Sequence, residues 1–322
     1  MGRYILGRIF AAVPVIFMTA VLIFVIMRLL PGDPVLVIAG QPDSALDEET
    51  LRNLREQWGL NEPVWVQFAI WLGKMLTGDF GTSFVTRQPV TALVLPRLGP
   101  TLQITMMAWL IAITIGLTVG VVSATAPNSR KDWILSLGSL FAAAVPFFLT
   151  ASLLMLLFAL QLRWLPASGY TPFFDDPLRS LRSTIMPAIT LSFGFAAVLA
   201  RQMRSSMVEV LEQPYITTAR SKGLRERLTI SRHAMKNAML PIVTILGFSL
   251  GNLFGGSVIT ERIFAVPGMG RLLVDSVSAR EYAVVQAIVF IFAFTVVAAN
   301  LIVDVLYAFL DPRIRLGARG GS

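Results

Sequence analysis

The sequence predicts an all-α integral membrane protein with six transmembrane helices, and its composition and its apolar runs carry that prediction. Of the 322 residues, 55% are hydrophobic and 14% are charged, and the mean hydropathy is +0.70. A soluble protein usually has about 25% charged residues. Most of this exterior therefore faces lipid, and six apolar runs are long enough, or nearly so, to cross a hydrocarbon core about 30 Å thick.

The six predicted spans are Ile9–Leu30, Leu102–Val122, Ile134–Leu160, Thr184–Ala200, Ala238–Ile259 and Val284–Leu310. The first has no small-residue cleavage site and is longer than a signal peptide's apolar region, so we expect it to be retained. Pro146 should bend the third span. The fourth is short and contains Pro187 and Gly194, which spans tolerate where neighbouring helices satisfy the freed backbone groups.

Charge distribution predicts the orientation of the chain in the membrane. With both termini inside, segments 1–8, 123–133, 201–237 and 311–322 carry 15 Lys and Arg against 5 acidic residues. The much longer opposite side carries 12 Lys and Arg against 13 acidic residues. The positive-inside rule therefore places both termini in the cytoplasm.

The long segment 31–101 falls on the outside in this topology. Ser44 and Asp47 resemble a capping box at the start of an amphipathic helix, which Gly59 would end. After it, residues 64–76 form an apolar helix that is too short to span, so we expect it to lie at the membrane surface.

The cytoplasmic segment 208–241 is too polar to span and has the pattern of two helices. Pro214 suits a first helical position and Gly223 the residue just past a helix end, which predicts a short helix over Tyr215–Lys222. A second helix begins near residues 229–231 and runs into the fifth span.

This segment resembles the cytoplasmic EAA loop of binding-protein-dependent ABC import permeases. The family's small residues, glycine and Leu-Pro entry into the next span correspond to Thr218-Ala219, Gly223 and Leu240-Pro241. The glutamate that names the motif is absent, and the gap of 18 residues from Gly223 to Pro241 exceeds the commonest form. Both departures resemble the dipeptide/oligopeptide/nickel branch.

Further motifs in the same order resemble that branch: RLLPGDP (28–34), GDFGTSF (78–84), WLPASGY (164–170), ERIFAVPGMGRLL (261–273) and LDPRIR (310–315). One segment departs from it. The branch leads us to expect Asp and Pro where this chain has Glu281 and Ala283.

The resemblance implies the type I ABC importer fold, with a long periplasmic or extracellular segment after the first helix and a cytoplasmic coupling helix between helices 4 and 5. Residues 1–101 would hold the first helix and the external amphipathic segment. Residues 102–310 would form the transmembrane domain with the EAA-like loop 208–241, and residues 311–322 a cytoplasmic tail.

The coupling helix is expected to contact an ATPase subunit. Thr218 and Ala219 are small enough to enter a groove on that partner, while Arg220 and its basic neighbours would pair with acidic groups at the rim. The residues predicted to couple the two proteins are Tyr215, Thr217, Thr218, Ala219, Arg220, Lys222 and Gly223.

The chain itself is expected to be non-catalytic. It contains no G-x-x-x-x-G-K-[ST] phosphate loop, so ATP and Mg²⁺ would bind partner subunits. With no cysteine and one histidine, thiolate and multi-histidine metal sites are excluded. We predict no catalytic, cofactor-binding or metal-binding residue, and no nucleic-acid partner despite the net charge of +8.

The partners that the resemblance implies are a second, related permease, two cytoplasmic ATP-binding subunits and an extracytoplasmic solute-binding protein, in a bacterial or archaeal cytoplasmic membrane. Peptides are the expected solute, with nickel, glutathione-like compounds or sugars as alternatives. An ion-coupled secondary transporter is the rival function. It would need ionisable groups at mid-membrane, and Asp304, the one acid well inside the last span, lies near the cytoplasmic end.

Gly247, Gly251 and Gly255 recur every four residues and form a smooth strip along the fifth span. Close packing against another helix is one interpretation of such a strip. Lining of the transport pathway or of a permease–permease seam is the other.

Overall fold

The computed structural model describes residues 2–29 and 61–310, with side chains described over residues 6–29 and 61–303. Within these ranges the chain is helical apart from its connections and one isolated β-bridge between Thr82 and Pro89. The main helices are α1 (Gly2–Leu29), α2 (Val64–Thr77), α3 (Val90–Ala124), α4 (Arg130–Ala144), α5 (Phe147–Leu154), α6 (Pro177–Leu211), α7 (Pro214–Ser221), α8 (Met235–Ile263), α9 (Met269–Ser278) and α10 (Tyr282–Leu310).

Two π-helical segments extend this set. Met155–Gln161 continues α5, and Thr229–Ala234 joins a short turn at Glu226–Leu228 to the start of α8. The second helix predicted for the cytoplasmic segment therefore runs without a break into the fifth span.

Five helices of the described chain are long and apolar enough to cross a membrane, and the count is six if α4 and α5 form one bent span. The bend between them is 101°. The bend follows from Pro146, which has no N–H for a helical hydrogen bond. Its ring also disfavours a helical backbone conformation at the preceding residue. Val145 accordingly has extended backbone, with φ −74° and ψ 122°. The sequence predicted a bend at this residue.

The fourth predicted span is much longer in the structure than Thr184–Ala200, because capping extends it. Asp176 accepts a hydrogen bond from the Arg179 N–H at 3.0 Å, and Pro177 takes the first helical position. Helix α3 likewise begins at Val90, well before the predicted residue.

The part of segment 31–101 that the structure describes agrees with the sequence. The apolar helix expected over residues 64–76 is α2, which ends at Gly78 with a left-handed φ of +80°. The predicted capping box at Ser44 and Asp47 and the helix end at Gly59 lie outside the described residues. Helix α9 begins at Met269, inside the motif at 261–273, and was not predicted as a helix.

Helices α3 and α6 approach each other closely at glycines that the sequence analysis did not select. On α3, a Cβ added at Gly116 would lie 2.6 Å from Leu199 Cβ, and one at Gly120 would lie 2.6 Å from the Ala200 carbonyl oxygen. Helices α3 and α6 therefore pack backbone against backbone at this point.

The predicted strip on α8 packs less tightly. A Cβ at Gly247 would lie 3.0 Å from Val303, and a Cβ at Gly251 would lie 3.2 Å from Val296, both on α10. Gly255 has no atom within 4 Å of such a Cβ. The strip thus lies against α10 over two of its glycines and faces open space at the third.

Candidate functional site

Helix α7 is a short element between two long apolar helices, α6 and α8. Pro214 takes its first position after an extended Gln213, and Gly223 follows its end with φ +77°. The Gly223 N–H donates to the Arg220 carbonyl at 2.9 Å. The helix at Pro214–Ser221 therefore matches the prediction to within one residue at each end.

One face of α7 is buried in its own chain. Ile216 is fully buried and Ala219 is 7% exposed, as their spacing of three on one helical face requires. Ile216 belongs to a cluster built from the ends of α3, α6 and α8, whose buried members include Ala124, Met203, Met207, Ala234, Ala238 and Ile242. Ile216 therefore joins α7 to the core that these helices share.

Ala219 is only 7% exposed, because it lies on the same side of α7 as the buried Ile216. Its entry into a groove on a partner stays a prediction. Thr217 and Thr218 are small residues on the exposed side of the helix.

The outer face of α7 is polar and exposed at Tyr215, Thr217, Thr218, Arg220 and Lys222. Arg220 has an acidic partner within its own chain, since its guanidinium donates to the Glu226 carboxylate at 2.7 and 3.1 Å. This hydrogen bond raises the pKa of the Arg220 guanidinium, which stays charged.

Side-chain hydrogen bonds attach α7 to the start of α8. The Asn237 amide donates to the Tyr215 hydroxyl at 2.7 Å. Within α7, Thr218 donates to the Pro214 carbonyl at 3.0 Å, so its hydroxyl is satisfied without a partner. These polar groups of the exposed face are therefore paired within the chain itself.

An ion pair between a buried carboxylate and a partly exposed arginine lies at the same end of the molecule and was missed by the sequence analysis. Asp132, 3% exposed on the first turn of α4, accepts from Arg204 on the last third of α6 at 2.6 Å through both carboxylate oxygens. It also accepts from the Ser123 hydroxyl and from the Asn128 N–H. The spacing of Ser129 and Asp132 in the sequence indicates the start of a helix, but it does not identify Arg204 as the partner of Asp132.

Among the described residues, no group of three or more His, Cys, Asp or Glu side chains could hold a metal ion. What the geometry provides is an exposed polar helix whose buried side is continuous with the cores of α3, α6 and α8.

Family models match both parts of the chain. Residues 116–316 match the binding-protein-dependent transport system inner membrane component, and residues 1–105 match the N-terminal component of such systems. The chain belongs to this family. In this permease, α7 and the Asp132–Arg204 pair both lie within the matched region 116–316.

The permease is similar to transport proteins over nearly its whole length. A Brucella abortus protein named for a peptide transport system permease is 42% identical over 315 residues, covering 98% of this chain and 99% of that one. The glutathione transport system permease protein GsiC of Salmonella choleraesuis is 40% identical over 315 residues, with coverage of 98% and 99%.

Solved structures share the fold. The membrane subunit of the methionine ABC transporter MetNI, in inward-facing conformations, aligns with a TM-score of 0.54 at 16% identity, covering 69% of the permease and 97% of that chain. An amino acid ABC transporter crystallised with histidines aligns with a TM-score of 0.50 at 16% identity, covering 67% and 94%.

Proposed function

We propose that this permease is the membrane subunit of an ATP-driven importer of short peptides, which a solute-binding protein delivers. The observation that carries the proposal is α7, an exposed polar helix with its buried side in the core of three long helices. It occurs in a chain 42% identical over 315 residues to a peptide transport permease. A second, related permease and two ATP-binding subunits would complete the transporter, and those subunits would bind ATP and Mg²⁺.

The proposed topology has six spans with both termini in the cytoplasm of a bacterium. Charge supports this orientation, since the segment 201–237, which contains α7, is rich in Lys and Arg. The connection after α5 and helix α9 then lie outside, together with α2, where a solute-binding protein would dock. The domain division at residues 101 and 310 is part of the same proposal.

The proposed mechanism is alternating access driven through α7. Closure of the ATPases on ATP would move the exposed face that includes Thr217, Thr218 and Lys222. Ile216 would transmit that movement to the shared core, while the Asp132–Arg204 pair would keep α4 attached to α6. The spans would tilt together and open the pathway to the outside, and hydrolysis would reset them.

Import of glutathione is the second candidate function. The relative named for glutathione transport is 40% identical over 98% of this chain, nearly as similar as the relative named for peptides. Glutathione is itself a tripeptide, so both solutes carry the same amide and carboxylate groups. Uptake of each labelled compound by one preparation would separate the two functions.

A large side chain introduced on the exposed face of α7 tests its coupling role. The complete transporter, with its partner subunits, is reconstituted in liposomes with an external solute-binding protein and internal ATP. We expect Thr218→Trp to weaken retention of the ATPases by about tenfold, the effect of roughly 1.4 kcal/mol at an interface. Dipeptide uptake should fall with it.

Thr77→Trp is the matched control, since Thr77 is also an exposed helical threonine but lies at the opposite end of the molecule, on α2. It should leave ATPase retention unchanged. Dipeptide uptake that needs an ion gradient and no ATPase would overturn the importer proposal in favour of secondary transport.

A further inference from the structure

A cavity of about 350 Å³ lies at the bend between α4 and α5, far from α7. Its walls come from both sides of Pro146 and from the middle of α6 and α8. Ligand pockets in proteins are usually about 300–1,000 Å³. The space is therefore large enough for a small solute.

Two buried hydroxyls in the wall of this cavity have no partner. Thr150 is 8% exposed and Thr190 is 1% exposed, and neither Oγ1 has a hydrogen-bond partner within the described structure. Other hydroxyls on the same helices are satisfied by their own backbone. Ser152 donates to the Phe148 carbonyl at 2.9 Å, and Ser192 to the Ile189 carbonyl at 2.9 Å.

An unpaired buried hydroxyl is destabilising, and a helical threonine can usually avoid it by bonding the carbonyl one turn back. Two adjacent exceptions in one cavity wall are therefore informative. A ligand-binding site contains such unpaired hydroxyls when their hydrogen bonds are made to the ligand.

The break at Pro146 adds a backbone donor. Helix α5 starts at Phe147, whose N–H lies at the cavity wall and has no backbone acceptor among the described residues. Broken helices of transporters leave such groups free where they line a cavity. The exposed Asn252 on α8 adds an amide that can both donate and accept.

The cavity wall has no ionisable side chain. Its remaining surface is mainly apolar, with Phe193 and Leu253 among the lining residues, and the hydroxyl of the lining Ser249 is already bonded to Leu246 and Trp109. An isolated charge would be unfavourable in such surroundings. A neutral group with one strong donor and one strong acceptor would satisfy the hydroxyls, the amide and the backbone N–H together, and the peptide group is such a group.

We propose that this cavity binds the peptide group of a short peptide during its passage, through Thr150, Thr190, Asn252 and the Phe147 N–H. The proposal rests on the proposed function, since it names the part of the solute that the pathway contacts. It also explains tolerance of different side chains, because every peptide carries the same backbone group.

The absence of cysteine from the chain allows a direct test. Thr150→Cys and Thr190→Cys are each introduced into the complete reconstituted transporter with its solute-binding protein. Their labelling by N-ethylmaleimide is followed by the mass of this chain during ATP turnover. We expect saturating dipeptide to slow the labelling about tenfold, as at a site about nine-tenths occupied.

Thr105→Cys is the control, because Thr105 on α3 is also a buried threonine with an unpaired hydroxyl but does not line the cavity. Dipeptide should not change its labelling. Equal labelling of the two cavity thiols with and without dipeptide, or no labelling in any state of the ATPase cycle, would overturn the proposal.

Removal of the hydroxyls gives a second readout. We expect Thr150→Val and Thr190→Val to lower dipeptide uptake about tenfold each, with no loss of thermal stability, since each removes an unpaired buried group. Thr105→Val should leave uptake unchanged. Undiminished uptake by both cavity variants would overturn the proposal, because the two hydroxyls would then not contribute to peptide transport.

The two proposals fail in different ways. If the unmodified transporter takes up no peptide, the proposed function is wrong. If it takes up peptide while the cavity thiols and the valine variants behave like their Thr105 controls, only the cavity assignment is wrong.

Discussion

Arg204 binds the buried carboxylate of Asp132 through two nitrogens, with Nε–Oδ1 and Nη2–Oδ2 distances of 2.6 Å. Arg204 lies near the end of α6, and Asp132 lies on the first turn of α4. The pair joins these helices at the end of the molecule from which α7 leaves. It is therefore placed to make α4 follow α6 when α7 is displaced.

Loss of Arg204 should destabilise the permease because it leaves a buried carboxylate without its counter-ion. We expect Arg204→Met to lower the free energy of unfolding by about 1–3 kcal/mol, the usual effect of leaving a buried acceptor without its donor. Thermal unfolding of the purified permease in mild detergent would measure it.

Two further variants test that explanation. Arg201→Met, at an exposed arginine one turn earlier on α6, should have little effect. Asp132→Asn combined with Arg204→Met should recover part of the loss, since the buried charge is gone. An equal loss in Arg201→Met would show that the pair itself is not responsible.

The two faces of α7 should respond differently to truncation. Ile216→Ala opens a void in the cluster shared by α3, α6 and α8, and we expect it to lower the free energy of unfolding by about 2–4 kcal/mol. Thr217→Ala, on the exposed face, should leave stability within about 0.5 kcal/mol. Chemical or thermal unfolding of both variants would measure the difference, and a similar effect of the two would contradict the assignment of faces.

The residue that departs from the branch pattern, Glu281, has a clear structural role. Its carboxylate is buried and accepts from the Ser83 hydroxyl at 2.8 Å and from the backbone N–H groups of Phe84 at 3.2 Å and Val85 at 2.6 Å. It therefore connects the start of α10 to the loop after α2. A shorter aspartate could not keep these distances without movement of the backbone.

Glu281→Ala should release that loop locally. We expect hydrogen exchange at the amides of Phe84 and Val85 to become about tenfold faster or more, since each hydrogen bond to a charged group contributes roughly 1.5–3 kcal/mol. Exchange measured by mass spectrometry on the peptide that contains both amides would test it. Glu209→Ala, an exposed acid on α6, is the control and should leave the exchange of that peptide unchanged.

The sequence predicted local features well because local chemistry determines them. The break at Pro146 and the limits of the short helix between Pro214 and Gly223 follow from the backbone preferences of these residues. Apolar length located the helices, although capping by Asp176 moved the start of α6 beyond the apolar run.

Features that depend on which residues meet in space were not predicted. Asp132 and Arg204 are far apart in sequence, and nothing local shows that they pair. The orientation of Ala219 depends on which side of α7 faces the core, so the resemblance gave its position but not its direction. The hydroxyls of Thr150 and Thr190 become notable only because two separate helices place them in one cavity.

Glycine spacing shows the same limit. Gly116 and Gly120 have the spacing of four that Gly247, Gly251 and Gly255 share, but only the structure shows which strip has a backbone pressed against it.

This difference gives a final prediction about single methyl groups. Gly120→Ala would place its Cβ 2.6 Å from the Ala200 carbonyl oxygen, a backbone atom that cannot move alone. We expect a loss of about 1–3 kcal/mol, the usual effect of overpacking. Gly255→Ala meets no atom within 4 Å and should instead stabilise the helix by roughly 0.5–1 kcal/mol. Thermal unfolding of the two variants should therefore shift in opposite directions, and a loss of stability in both would mean that helix α8 is packed at Gly255 by a surface outside this chain.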